Sequence, residues 1–235
     1  MRKNFFRAAI PAVMAVTVLL VISGCAGGRT ATPEIAGYVL EQPELGVSPS
    51  RGTPLTQDTV AVLRFTAAHH CRGNAMIYRS APFRSAAYHY HRWKDSPADM
   101  VTEYVASTLL DAHMFKALFV DYAYEKSRYC LEGRLIDCHE EIDHGSRKAV
   151  LRFTATFLDT LPKSVPERVL FQNTYSREKI IAGDGPAGLV EAMNEVMAAL
   201  AQQLVEDIRV VLKDETTQGR SACPDERTAA EPETD

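Results

Sequence analysis

The chain has 235 residues, of which 46% are hydrophobic and 24% are charged, and its formal net charge is −4. Residues 213–235 hold seven acidic and three basic side chains, a net of −4, so the remaining charges balance. This composition is typical of a folded domain. It lacks the concentrated basic patch of a nucleic-acid-binding protein, and we expect no nucleic-acid partner.

The N-terminus has the layout of a secretory signal peptide, in which basic residues precede an apolar segment over residues 8–23. The basic residues are Arg2, Lys3 and Arg7. The apolar run of about 16 residues is shorter than the roughly 20 that a spanning helix needs. We therefore predict that residues 1–24 are a cleaved signal peptide, and an uncut anchor helix is the alternative.

The apolar segment ends in Ile22-Ser23-Gly24-Cys25, which resembles the bacterial lipobox. In such proteins the cysteine is acylated and becomes the first residue of the mature chain. The resemblance implies a covalent lipid such as palmitate on Cys25, with no other cofactor, and stable anchoring takes at least two acyl chains. Ala26 follows, where inner-membrane lipoproteins often carry Asp, so the expected location is the outer membrane, facing the periplasm.

Composition divides the mature chain into three parts. Residues 25–57 are predicted to be the lipidated cysteine and a flexible linker, because they are rich in Gly, Pro, Ser and Thr. Residues 58–212 are predicted to be one domain, and residues 213–235 a disordered acidic tail. Tyr38-Val39-Leu40 within the linker is apolar enough for a short strand that docks on the domain.

Three strands are predicted at the start of the domain. Residues 59–66 (TVAVLRFT) are β-branched and apolar, which is typical of a mostly buried strand. Residues 75–80 and 86–93 form two more strands. Ala81-Pro82-Phe83-Arg84 between them has the length of a hairpin connection.

A helix is predicted next, with Ser96 as its N-cap, Pro97 in its first turn and Asp99 as a favourable early acid. Apolar residues then recur at three- and four-residue spacing up to Ala112, so one face of the helix should pack on a core. Residues 116–121 are predicted to form a short strand.

The second half of the domain shows both the two-residue alternation of strands and the three- to four-residue spacing of helices. Alternating residues over 129–135 and 149–157 flank the turn sequence Asp143-His144-Gly145-Ser146, which predicts a long antiparallel hairpin. A strand over about 168–181 and a final helix of about 25 residues, with apolar positions from Leu189 to Val211, follow. We predict an α+β fold in which two main helices pack on one face of a largely antiparallel sheet.

Several features, in this order, resemble the PqiC-like auxiliary lipoproteins of ABC-type transport systems. They are the lipobox cysteine, Tyr38-x-Leu40, the strand TVAVLRF, Met76-Ile77-Tyr78-Arg79, Tyr88-His89-Tyr90-His91-Arg92-Trp93, Ser96-Pro97, Leu109-Leu110, Phe115 and the long closing helix. The resemblance covers nearly the whole mature chain. The acidic tail after Lys213 and the extra cysteines depart from the family pattern.

The resemblance implies a non-catalytic role in moving lipids between the two membranes of Gram-negative bacteria. It implies a partner with a mammalian-cell-entry (MCE) domain, and self-association as a further expectation. The lipid-fixed domain would hold the outer end of a periplasmic conduit at the outer membrane. The alternative function is a stand-alone, periplasm-facing lipoprotein that binds a ligand or a cell-wall component.

One segment, Gly183-Asp184-Gly185-Pro186-Ala187-Gly188, matches the G-x-G-x-x-G pattern of dinucleotide-binding proteins. That fingerprint needs a parallel βαβ unit and an acid about 20 residues further on. Only the tail follows the helix here. We interpret the segment as a loop that caps the last helix.

Histidines occur in two groups that could suggest a metal site. His69 and His70 precede Cys71, and His89 and His91 alternate on a predicted strand. Neither Cys-x-x-Cys nor His-Glu-x-x-His spacing accompanies them, so we predict no metal site.

The sequence also lacks the motifs of an activated nucleophile. Glu140, Glu141 and Asp143 lie beside the predicted turn, and we predict that they are solvated rather than an acid/base pair. We therefore expect no catalytic residue and no enzyme.

Four cysteines remain after Cys25. Cys130 and Cys138 lie on one predicted strand, about 26 Å apart if it is extended, whereas bridged Cα atoms lie within about 7 Å. They should not pair with each other. Cys71 and Cys223 remain open as their partners, and free thiols are the alternative.

The predicted hairpin over residues 75–93 concentrates aromatic residues and arginine, which are favoured at binding hot spots. For Tyr78 and Trp93, the alternative to a place in a binding surface is packing in the core. We predict a partner-binding surface for an MCE-type subunit or another copy of the chain, formed by Arg79, Phe83, Arg84, Tyr88, Tyr90, Arg92 and Trp93.

Overall fold

The computed structural model describes residues 34–41, 53–121, 126–162 and 164–221. The predicted signal peptide, Cys25, most of the linker and the end of the tail lie outside these residues. All described secondary structure belongs to one compact unit that begins at Ile35.

Nine strands and three α-helices follow one another within the described residues. The strands are β1 (Ala36–Tyr38), β2 (Thr59–Val62), β3 (Thr66–Ala67), β4 (Ala75–Ala81), β5 (Arg84–Trp93), β6 (Ala117–Val120), β7 (Tyr129–Asp143), β8 (Ser146–Asp159) and β9 (Val169–Ile180). The helices are α1 (Pro97–Asp111), α2 (Val165–Arg168) and α3 (Gly185–Ser221), and a 3₁₀ turn covers His69–Cys71.

The sheet is organised around β7. One edge of β7 pairs with β8 from Tyr129 to Asp143, and β8 pairs with β9, both antiparallel. The other edge of β7 receives β2, β3 and β4 in succession, all parallel. β6 extends the sheet beyond β2, while β5 and then β1 extend it beyond β4. The predicted α+β fold is confirmed, and the long pairings are antiparallel as expected.

Alternation along β8 builds one wall of the core. Leu151, Phe153 and Phe157 are completely buried and lie on the same face of the sheet. This face is covered by α3, whose apolar stripe includes the buried Met193, Leu200 and other residues at helical spacing. Helix α1 packs against both α3 and β7, so the two main helices share one face, as predicted.

Helix α1 begins as the sequence predicts. The Ser96 hydroxyl accepts a hydrogen bond from the Asp99 amide at 3.2 Å, and Pro97 occupies the first turn. Thr102, buried in this helix, accepts a hydrogen bond from the Phe65 amide at 2.9 Å. Because the Phe65 amide bonds to the helix, strand pairing is interrupted between residues 62 and 66. The single predicted strand over 59–66 is therefore two strands, β2 and β3.

Helix α3 is longer than predicted, running from Gly185 to Ser221. Its length of 37 residues corresponds to about 55 Å. Glu215, within the predicted tail, forms an ion pair with Arg128 at 3.4 Å, which holds this part of the helix against the domain. The residues beyond 221 lie outside the described part of the chain.

The short docking strand expected at Tyr38-Val39-Leu40 is present, two residues earlier. β1 pairs in parallel with the last residues of β5, with Ala36 opposite His91 and Tyr38 opposite Trp93. The Tyr38 hydroxyl and His91 Nδ1 lie 3.1 Å apart, which ties the end of the linker to the sheet.

Candidate functional site

The predicted partner-binding residues lie on the hairpin formed by β4 and β5. The turn consists of Pro82 and Phe83, between the paired Ala81 and Arg84. Phe83 has a φ of +62° and a fully exposed side chain, with 110% relative exposure. An aromatic residue in the left-handed region is uncommon, because this conformation favours glycine and asparagine.

β5 carries a large irregular bulge close to its C-terminal end. Ala75 pairs with Arg92 and Ile77 with Ala87, so four residues of β5 lie opposite one residue of β4. Bulges re-aim side chains relative to simple strand alternation. The bulge contains Tyr88-His89-Tyr90-His91, the segment that the sequence marked as aromatic.

The predicted set divides into exposed residues and residues that make contacts within the fold. Phe83, Arg84, Tyr90 and Arg92 are exposed, and Tyr90 retains 49% exposure. In the described structure, no strand pairs with the outer edge of β5 before His91. This unpaired β5 edge, residues 84–90, presents free backbone groups beside exposed side chains.

The remaining three residues of the predicted set make contacts within the fold. Trp93 is 1% exposed and belongs to the core, which was the alternative for this residue, so the prediction that it forms part of a binding surface is wrong. The Tyr88 hydroxyl donates to Glu140 at 2.5 Å, and the Arg79 guanidinium donates to Asp137 at 3.0 Å. The Tyr88 and Arg79 side chains therefore make their polar contacts within the fold.

Glu140 is the centre of a buried polar cluster on the helix-covered face. Its carboxylate is 0% exposed and accepts from Tyr88 and from Arg147 Nε, each at 2.5 Å. Burial, together with the hydrogen bond to Glu140, raises the pKa of Tyr88 to about 12. The expectation that Glu140 is solvated is wrong, because β7 extends through it and turns its side chain inward.

Arg147 connects this cluster to the glycine-rich loop. Its guanidinium donates to the carbonyl oxygens of Gly183 and Gly185, at 3.1 and 2.7 Å. A Cβ on Gly188 would lie 2.5 Å from the Gly183 carbonyl oxygen, so these two backbones are in close contact. The loop therefore leads into the first turn of α3, and its glycines permit the close contact between the backbones of Gly183 and Gly188.

A second polar cluster lies on the opposite face of the sheet, around Asp137. This carboxylate is reached by Arg79 at 3.0 Å, by His70 at 3.2 Å, and by Arg152 and His139 at 3.8 Å. Burial alone would raise the pKa of Asp137, but the His70 hydrogen bond and the charge of Arg79 outweigh it and lower that pKa. Arg79, Arg152 and Arg177 line this part of the surface together with Asp137, Glu141 and Glu178, so little excess charge remains for a ligand.

His139 lies in this cluster with only 5% exposure. Burial, followed by the charge of Arg79, lowers the pKa of its imidazole to about 4. His139 is therefore neutral at pH 7. The sequence did not indicate Asp137 or His139, because neither belongs to a motif, and only their position on β7 relates them.

Two adjoining cavities lie between the tips of the two hairpins and along this polar face. The first, of about 710 Å³, is lined by Ser80 to Phe83 of one hairpin and Glu141 to His144 of the other. The second, of about 360 Å³, extends to Arg152 and Ser176. The two share Arg79, His139 and Glu141, and the lining carries both signs of charge.

The histidines and cysteines bear on two further kinds of chemistry, metal binding and thiol reactivity. Among the residues that the structure describes, no three His, Cys, Asp or Glu side chains are grouped to hold a metal ion. Cys71, Cys130 and Cys138 are buried free thiols, and Cys223 lies outside the described residues. Burial raises the pKa of Cys130 to about 12, so this thiol is protonated at neutral pH.

Comparison with protein families identifies this architecture. Residues 38–205, more than half of the chain, match the family described as the ABC-type transport auxiliary lipoprotein component. The chain belongs to this family of transport-associated lipoproteins. A comparison with curated proteins found no match.

Solved structures with the same fold include protein XCC0632 from Xanthomonas campestris. It is 16% identical, with a TM-score of 0.65, over 77% of this chain and 99% of that one. A second, described only as an uncharacterized protein, is 11% identical, with a TM-score of 0.58, over 74% and 99% of the two chains. These similarities concern the fold. Of the helices within the described residues, none has the length and apolarity to cross a bilayer.

Proposed function

We propose that this chain is a non-catalytic outer-membrane lipoprotein that docks the periplasmic conduit of an ABC/MCE-type lipid transport system. The match of residues 38–205 to the transport auxiliary lipoprotein family is the observation that carries the proposal. The lipobox at Ile22-Ser23-Gly24-Cys25 supports acylation of Cys25. Ala26 supports retention at the outer membrane, with the domain facing the periplasm.

The proposed docking surface is the unpaired β5 edge with its exposed side chains Arg84 and Tyr90, together with the neighbouring exposed side chain of Arg92, whose backbone pairs with Gly37 of β1. A partner strand can hydrogen-bond to free backbone groups of such an edge, while neighbouring side chains supply specificity. Tyr and Arg are favoured at the centre of binding surfaces. Phe83 lies apart from these three, at the tip of the hairpin.

The mechanism follows from attachment and rigidity rather than from chemistry. Acyl chains on Cys25 would fix one end of the linker in the membrane. β1 fixes the other end to the sheet through its pairing with β5. The domain then holds its partner at a limited distance from the membrane, and no bond is made or broken in the transported lipid.

Affinity capture from detergent-solubilised membranes tests the proposal. The wild-type chain should recover an MCE-domain protein and an ATPase, and mass spectrometry should find an acylated Cys25. The triple substitution Arg84→Glu, Tyr90→Ser and Arg92→Glu should abolish recovery without unfolding the domain, because these side chains are exposed.

The matched control changes charge at exposed positions elsewhere, Lys116→Glu with Arg134→Glu, and should retain the partner. Recovery of neither transport protein by the wild-type chain would contradict the docking role and favour a stand-alone lipoprotein. An unmodified Cys25 would contradict the anchor.

A further inference from the structure

We infer that the tip of the β4–β5 hairpin, with Phe83 at its apex, inserts into the lipid surface to which the chain is anchored. The lipid surface is the interfacial region of a bilayer. The inference rests on the proposed membrane anchor, and it adds a second, non-covalent membrane contact that would orient the domain.

The conformation of Phe83 is the first observation. The tip places a large apolar ring entirely in solvent, at a φ of +62°, with Pro82 before it. Both features cost the isolated domain free energy. An exposed aromatic ring forgoes the favourable free energy of burial, and an aromatic residue with a left-handed backbone is strained. An exposed ring on a protruding turn is suited to the headgroup and upper acyl region of a bilayer.

The direction of β1 is the second observation. β1 runs parallel to β5, so Ile35, which precedes β1, lies towards the end of β5 at which the Phe83 tip is found. Ten residues lie between Cys25 and Ala36, and the eleven Cα-to-Cα steps from one to the other span at most about 40 Å. The eight residues from His91, opposite Ala36, to Phe83 span at most about 26 Å. The linker is therefore long enough for the tip to reach the membrane.

The charges at this end indicate how the tip would bind. Arg84 lies at the tip of one hairpin and Glu141 and Asp143 at the tip of the other, and Arg79 is already paired with Asp137. This end therefore carries no excess of positive charge and provides no net attraction to anionic lipids. Insertion should therefore depend on the apolar ring and vary little with salt or with the fraction of anionic lipid.

The other end of the long hairpin is the competing surface. Leu161 and Val165 follow β8 there, with 68% and 69% exposure. The N-terminal end of β1 points away from these residues and towards the start of β5, so we assign the membrane contact to the Phe83 tip. The two ends can be compared directly by the same substitution.

Tryptophan fluorescence on vesicles provides the test. Full-length Phe83→Trp and Val165→Trp proteins are purified from membranes and reconstituted into phosphatidylethanolamine and phosphatidylglycerol vesicles, with and without brominated acyl chains. Trp93 is the single native tryptophan and is buried, so it gives the same background in both variants. Vesicle flotation and the mass of the Cys25 peptide report the anchor separately.

We expect the Phe83→Trp emission to shift to the blue and to be quenched by brominated lipid, at low and at high salt, while Val165→Trp stays unshifted and unquenched. Unquenched Phe83→Trp emission on floating protein would overturn the inference and leave the anchor intact. So would quenching of Val165→Trp instead, or a blue shift without lipid quenching, which would indicate a protein pocket. Protein that does not float would contradict both proposals.

Discussion

At the scale of single residues, the neighbours Glu140 and Glu141 show how strand phase decides the role of a side chain. Glu140 is completely buried and accepts from Arg147 and Tyr88, whereas Glu141 is exposed on the other face. The sequence predicts only two similar acids beside a turn. Their difference arises because β7 continues past them and successive side chains alternate.

Glu140→Gln should destabilise the domain by about 2–3 kcal/mol, because the amide presents a donor where two donors already converge. Urea unfolding followed by circular dichroism measures this change. Glu141→Gln is the matched control and should alter the free energy of unfolding by less than about 0.5 kcal/mol. Equal effects of the two substitutions would contradict a structural role for the Glu140 cluster.

His139 should make the domain less stable at mildly acidic pH. Its pKa is about 4 in the fold, lowered by burial from an ordinary value of 6.5. Below pH 6.5 the unfolded chain therefore binds more protons, and the free energy of unfolding should fall as the pH approaches 4. The loss attributable to His139 is at most about 3 kcal/mol.

Unfolding in urea at a series of pH values measures this contribution. His139→Gln should flatten the pH dependence of the free energy of unfolding between 6.5 and 4. The lowered pKa of Asp137 concerns a more acidic range, because carboxylate stabilisation is lost only as the pH falls through the folded-state pKa. An unchanged slope in His139→Gln would show that other groups cause the acid sensitivity.

At the scale of elements, the fold explains why glycines occur in the G-x-G-x-x-G segment before α3. Gly188→Ala should destabilise the domain by about 1–3 kcal/mol, because the added Cβ would meet the Gly183 backbone, which has no flexible side chain to yield. Thermal or urea unfolding measures the effect.

The matched glycine control is Gly37→Ala, whose added Cβ would only make an ordinary contact at 3.6 Å with the Lys94 side chain. This change should shift the free energy of unfolding by less than about 0.5 kcal/mol. A tolerated Gly188→Ala would refute the close-contact explanation and reopen the function of the motif.

The elements were largely predictable, and the irregularities between them were not. Periodicity predicted α1, the β7–β8 hairpin and α3, because each buries one face over many residues. The break between β2 and β3 depends on a hydrogen bond from Phe65 to Thr102, 37 residues apart in sequence. The bulge in β5 likewise depends on pairing with β4, which the sequence of β5 does not encode locally.

That bulge explains why the candidate surface was only partly predicted. The aromatic and arginine content marked the correct hairpin, but it did not indicate that Tyr88 reaches Glu140 or that Trp93 enters the core. Composition identifies residue types that suit an interface, whereas exposure is decided by partners elsewhere in the chain.

At the scale of the whole molecule, the sequence predicts the layers and leaves the parallel pairings open. Amphipathic patterns require that α1 and α3 cover one face of a sheet. They do not specify that β2, β3 and β4 share one edge of β7. Such pairings join distant segments, for example Val60 with Tyr129, and leave no short-range signal.

The position of β7 has a consequence for how the chain acquires its fold during export. β7, β8, β9 and α3 follow one another in the chain, with only the short helix α2 between β8 and β9. β8 pairs with both β7 and β9, and α3 contacts β8 and β9, so this part can form from local contacts. The earlier strands β2, β3 and β4 must wait for β7 as a template. If the N-terminus crosses the membrane first, we expect Cys25 to reach acylating enzymes while the segments behind it are still unpaired.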